Sequence, residues 1–270
     1  MDSGFLLGDG VWEGIRLYEN TLIHLKDHLN RLYQGAESID LIIPLSKEAL
    51  KIEILKTIKK NRMSTNVHIR LIVSRGLKIT PYQSPKVTIG PPTIVIIPEY
   101  KKASESVKRN GITTGRVETI RDYRVQDPRI NSLSKHNCIA ACIEANKLGF
   151  DEGLMLDPKG FVSTCNSTNF FIIRDNEVWT STGQYCLNGV TRKSVIGLCK
   201  KYKIPVFEKN FTLKEVYKSK EVFVTGTFAG ITPVISVDNI VIGKGKRGTL
   251  TRNLQRWYNL ELESMVLQNE

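Results

Sequence analysis

The sequence predicts an α/β protein built as two domains, and three observations predict it. The chain has 270 residues, enough for two compact cores. Stretches that alternate like strands interleave with stretches of helical periodicity along the whole length. Residues 98–110, PEYKKASESVKRN, are polar and basic and read as a linker, which divides the chain into domains 1–106 and 107–270.

In the first domain, residues 11–18 read as a strand, and Asn20 begins the turn into Thr21-Leu22-Ile23. Leu25, Leu29, Leu32, Tyr33, Ala36 and Ile39 recur at the spacing of an amphipathic helix. Residues 46–60 form a second helix with Ser46 as its N-cap. Residues 66–74 alternate as a strand, and residues 93–97 form a buried one.

In the second domain, residues 111–118 read as a strand and 136–148 as a helix. A β-rich block follows at 153–156, 161–162, 169–173 and 178–180, with turns at Pro158-Lys159-Gly160 and Arg174-Asp175-Asn176. Residues 190–202 are helical, 222–225 a strand and 250–258 a final helix.

Composition narrows the function classes. With 41% hydrophobic and 24% charged residues, the chain reads as an ordinary soluble globular protein. No apolar run reaches membrane-spanning length, and Met1-Asp2-Ser3-Gly4 opens no secretory leader, so a cytoplasmic location is expected. The formal charge of +12 is spread over Lys56, Lys59, Lys60, Lys101, Lys102, Lys200, Lys201 and Lys203 without interleaved aromatics. That pattern suits a solvated surface and small anionic substrates and points away from nucleic acid. The five cysteines include no CxxC pair. Cys138 and Cys142, with only His136 nearby, make a thin zinc set, so no metal is expected and all five read as small buried thiols.

Two segments carry ligand-binding chemistry on their face. Leu187-Asn188-Gly189-Val190-Thr191-Arg192 runs from a glycine loop straight into a helix, where free N–H groups and the helix dipole favour an anion. Such a start is equally an ordinary capped terminus. Residues 223–234 read as a strand that ends in a small, hydroxyl-rich loop.

Together with Gly8-Asp9-Gly10-Val11-Trp12-Glu13 and His28-Leu29-Asn30-Arg31-Leu32, these segments resemble the four signature stretches of class IV, fold-type IV pyridoxal-phosphate aminotransferases. This group contains the branched-chain and D-amino-acid transaminases, and the match spans nearly the whole chain. The resemblance implies a cofactor cleft between the two domains, a homodimer, and amino transfer between an amino acid and a 2-oxo acid. It assigns cofactor binding to Arg31, Thr164, Val190, Thr191, Gly226, Thr227 and Phe228, with Arg31, Thr191 and Thr227 around the phosphate. An arginine fork beside N–H and O–H donors is what a phosphate dianion needs. Trp12, Thr80 and Tyr82 fall at substrate-facing positions.

The chain departs from the family pattern in four places. A gap-free count back from Glu144-Ala145 puts Asn131 where the Schiff-base lysine belongs. Lys135, four residues on, is the candidate replacement, since one helical turn is within a lysine's reach. Thr164 stands where a glutamate usually holds the cofactor's ring nitrogen protonated. Thr80 and Tyr82 replace the arginine and histidine of the D-amino-acid transaminase carboxylate loop. There Lys78 is a substitute or a solvated loop residue. Lastly, the usual first hairpin does not precede Asp2-Ser3-Gly4-Phe5. The alternatives left open are a catalytically impaired cofactor- or metabolite-binding relative, or a pyridoxal-phosphate lyase or racemase.

Overall fold

The computed structural model describes residues 1–268. The chain divides into two compact units. Met1–Lys102, Ile130–Lys135 and residues 265–268 form one, while Ala103–Arg129 and His136–Ser264 form the other.

The first unit contains α1 (Ser3–Leu7), β1 (Gly10–Tyr18), β2 (Thr21–Leu22), α2 (Leu25–Glu37), α3 (Lys47–Lys60), β3 (Val67–Ser74), β4 (Leu77–Lys78), β5 (Thr88–Ile89) and β6 (Thr93–Tyr100). An antiparallel sheet runs in the order β2-β1-β3-β6. Period-two alternation turns Val11, Ile15 and Leu17 of β1 and Val67, Ile69, Leu71 and Val73 of β3 to one face. Leu29, Leu32 and Ala36 of α2 and Leu50, Ile54 and Ile58 of α3 complete that core. Ser46 caps α3 as expected, its Oγ accepting from the Ala49 N–H at 3.1 Å.

Residues 130–135 extend the edge of this sheet. The Trp12 N–H donates to the Asn131 carbonyl and the Leu133 N–H to the Gly10 carbonyl, both at 2.9 Å, with Val11 opposite Ser132.

The second unit contains α4 (Glu105–Asn110), β7 (Ile112–Arg116), α5 (His136–Lys147), β8 (Glu152–Leu156), β9 (Val162–Cys165), β10 (Asn169–Arg174), β11 (Glu177–Thr180), α6 (Val190–Lys201), β12 (Val206–Glu208), α7 (Leu213–Tyr217), β13 (Glu221–Gly226), β14 (Gly230–Val237), β15 (Ile240–Val241) and α8 (Thr249–Leu267). A mixed sheet runs β12-β11-β10-β13-β14-β7-β8-β9, with β15 paired to β14. Phe170, Ile172, Val222, Val224 and Val234 lie at its core.

Several expectations are corrected. Residues 98–110 do hold the junction of the two units, at Lys102–Ala103, but they are not linker throughout: β6 continues through Tyr100, and α4 follows with Ser104 as its cap. The stretch looked polar because β6 is an edge strand that faces solvent, where Pro98 is tolerated. Residues 230–234 belong to strand β14 rather than to a loop. Pro233 disguised it, but Pro233 precedes the point where β14 begins its ladder to β7 at Val234. The final helix is longer than 250–258 because its apolar stripe runs on through Leu262. Cys165, Cys186 and Cys199 are buried, whereas Cys138 and Cys142 are partly exposed, since α5 packs with Ala141 and Ala145 instead. Among the described residues, no helix is long and apolar enough to cross a membrane.

Candidate active site

In the first unit, three of the singled-out residues converge. Asn131 is buried, its Nδ2 donating to the Trp12 carbonyl at 2.7 Å. Lys135 is half-buried, and its Nζ donates to Asn131 Oδ1 at 3.0 Å. The same Nζ lies 5.3 Å from the centre of the Trp12 ring, and the Arg70 guanidinium lies 4.1 Å from that centre. The Trp12 indole N–H is buried and has no partner among the described residues.

Trp12 and Arg70 can meet because β1 and β3 pair in register, Gly14 opposite Arg70 and Trp12 opposite Ile72, on the face turned away from the core. His68 shares that face, and Gly14 makes room for it: a Cβ there would come within 2.8 Å of His68 Nε2. Burial, reinforced by Lys101 and Arg70, drives the His68 imidazole down to about 4.

Arg31 stands on α2. Its Nε and Nη2 each donate to the Glu13 carboxylate at 2.7 Å, and His28 Nδ1 meets the same carboxylate at 2.7 Å. Burial pushes the Glu13 carboxyl up, but the charge and hydrogen bonds of Arg31 and His28 outweigh it and hold it below the ordinary range. Sequence reading missed Glu13 as the partner of both Arg31 and His28. The usable signal was the three-residue spacing of His28 and Arg31, which puts both on one helix face.

Thr80 and Tyr82 are exposed in the loop between β4 and β5. Lys78 is not solvated. It is 2% exposed, with its Nζ donating to the Ser84 carbonyl at 3.0 Å. Residues 79–87 fold back over β4, so a position that looks like loop is interior.

In the second unit, α6 packs against β13. Its N-terminus, at Gly189, has no side-chain cap, and Val190 and Thr191 in its first turn are buried. Gly226 ends β13, and the half-buried Thr227-Phe228-Ala229 form the turn into β14. Thr164, on β9, is 4% exposed, and its hydroxyl donates to the Thr168 carbonyl at 2.7 Å.

Comparison with known proteins decides the family. Residues 10–237 match the family described as Amino-transferase class IV. The chain belongs to the class IV aminotransferases. It is 36% identical over 258 residues to the branched-chain-amino-acid aminotransferase-like protein 2 of Arabidopsis thaliana, covering 95% of this chain but only 46% of that protein. It thus spans about half the length of that relative. It is 34% identical over 265 residues to a D-alanine aminotransferase of Listeria monocytogenes, covering 97% of this chain and 89% of the other. Among solved structures, the class IV fold matches the T.th. branched-chain amino acid aminotransferase complexed with N-(5'-phosphopyridoxyl)-L-glutamate. The TM-score is 0.86 at 28% identity, over 98% of this chain and 87% of that one.

Proposed function

We propose that this class IV aminotransferase uses pyridoxal 5'-phosphate to move an amino group between an amino acid and a 2-oxo acid. The substrates are branched-chain-like or D-amino-acid-like, and Lys135 does the work usually given to a lysine at position 131. One observation carries the assignment: Lys135 Nζ lies 3.0 Å from the side-chain oxygen of Asn131, so its amine stands beside the residue at the family's lysine position.

The residues present fit the cofactor. The uncapped start of α6, with buried Thr191, offers N–H and O–H donors suited to a phosphate. Gly226 is a glycine for no reason internal to the protein, since a Cβ there would meet only Thr168 Cγ2, at 3.5 Å. Close approach of a ligand supplies the reason. Val190, Thr227 and Phe228 complete this cradle, and the family resemblance adds Arg31 as the cation. When bound, pyridoxal phosphate supplies an aldehyde that condenses with amines and a ring that accepts electrons. Lys135 Nζ then holds and moves the proton taken from the substrate's α-carbon. The family resemblance assigns substrate contact to Trp12, on which Arg70 stacks, and to the exposed Thr80 and Tyr82. The same reading takes the working form as a cytoplasmic homodimer.

Absorbance and mapping test it. The purified protein with added cofactor should show a visible band that borohydride bleaches, and peptide mapping should find the pyridoxyl group on Lys135. Lys135→Ala should remove the band while phosphate stays bound. A label on Lys147, Lys159 or another lysine refutes the role of Lys135. Bound cofactor with no labelled lysine favours a non-catalytic, cofactor-binding relative. That second reading draws on Thr164, whose hydroxyl proton is already given to Thr168.

A further inference from the structure

The amide at position 131 is fixed in one orientation. Its Nδ2 donates to the Trp12 carbonyl at 2.7 Å, while its own backbone carbonyl accepts from the Trp12 N–H at 2.9 Å. An amide that has given its N–H to a carbonyl turns its oxygen the other way. That oxygen is the one Lys135 Nζ meets at 3.0 Å. Both ends of the arrangement are buried or half-buried, and the ladder between residues 131–133 and β1 keeps the backbone from drifting.

A lysine side chain has four rotatable bonds and would otherwise sample many positions. Here the amine is confined between Asn131 Oδ1 and the face of Trp12. We infer that Asn131 is the positioning residue of Lys135: it holds the amine at one place, with its orientation set in turn by the Trp12 carbonyl. The former lysine position has thereby become the cradle for the lysine that replaces it. This rests on the reading of Lys135 given above.

The test separates amine positioning from general damage. Apo protein is mixed either with pyridoxal phosphate, whose aldehyde needs the amine, or with 4'-deoxypyridoxine phosphate, which binds without an aldehyde. Asn131→Leu and Asn131→Ala should slow formation of the visible band by about tenfold or more, since a held amine reacts faster than a roaming one. Affinity for 4'-deoxypyridoxine phosphate should stay within about twofold, because that ligand has no use for the amine. An unchanged band-formation rate overturns the inference, and so does an equal loss for both ligands in both variants. If the parent's label is not on Lys135, the proposed role of that lysine fails first, and the mapping shows it before either variant is made.

Discussion

Arg31 and Glu13 form a two-pronged ion pair, Nε to Oε1 and Nη2 to Oε2, on a carboxylate that is 0% exposed. Arg31 therefore has a structural duty besides any duty to a phosphate. Arg31→Leu should lower stability by about 3–5 kcal/mol, because it leaves the buried Glu13 carboxylate with His28 in place of a paired cation. The double variant Glu13→Gln/Arg31→Leu should regain most of that in urea denaturation, yet retain no better hold on the cofactor than Arg31→Leu. A double variant as unstable as the single one would show that packing, not the stranded charge, dominates.

Glu13 and His68, two titrating groups of this unit, act in different pH windows. Glu13 is held below its ordinary value of 4.5, so its contribution is present above that pH and is lost as pH falls further. His68 is depressed from 6.5 to about 4, so the unfolded chain binds a proton there before the folded one does. Stability thus erodes as pH falls from 6.5 towards 4. His68→Phe should flatten the melting temperature across that upper window by a few degrees, about the size expected for a chain this long. Glu13→Gln should change only the acid limb. If the two variants flatten the same window, the assignment is wrong.

Thr164→Glu should raise α-proton exchange in the loaded enzyme by restoring an anion at the usual glutamate position. The structure adds a cost. Thr164 is buried and its hydroxyl gives a proton to the Thr168 carbonyl, so a carboxylate there faces an acceptor. The apo variant should be less stable by roughly 2 kcal/mol or more. Its melting temperature should also rise more on adding cofactor than the parent's does. An equal or smaller rise would contradict the pairing of this position with the cofactor.

Among the described residues, Lys78 carries a buried amine with one hydrogen bond, to the Ser84 carbonyl. Desolvating an ammonium for a single neutral acceptor is unfavourable. Lys78→Met, which keeps the length and drops the charge, should leave stability unchanged or raise it by about 1 kcal/mol. A clear loss in thermal melting would mean that the amine clasps the 79–87 loop more strongly than one bond suggests.

Strongly periodic elements were legible in the sequence. Residues 11–18 and 66–74 alternate because one face is core, and Leu25 to Ile39 show a helical stripe because α2 buries it. Position 131 was singled out by counting along the chain, from Glu144-Ala145 back to Asn131. What the sequence could not show was anything set by register between distant strands. The stacking of Arg70 on Trp12 depends on β1 pairing with β3, and the hydrogen bond of Asn131 to Trp12 spans 119 positions. Glu13 as the partner of Arg31 was hidden in the same way: both stand in the signature stretches, but nothing in the sequence pairs one stretch with the other. Pro233 misled because a proline is read by local rule, whereas position in the sheet decides where one is tolerated.

Residues 130–135 leave the second unit's stretch of chain to complete the first unit's sheet, then hand the chain back. In genetic terms, neither unit is a cassette. A gene cut at residue 103 would place Asn131 and Lys135 on one fragment and Trp12, with the strand that orients them, on the other. Recombination could swap α8 or the loop after β4 and leave this arrangement whole, but a single crossover between Trp12 and Asn131 would break it. The lysine and its cradle must therefore be inherited with β1, as one linked character, although more than a hundred codons separate them.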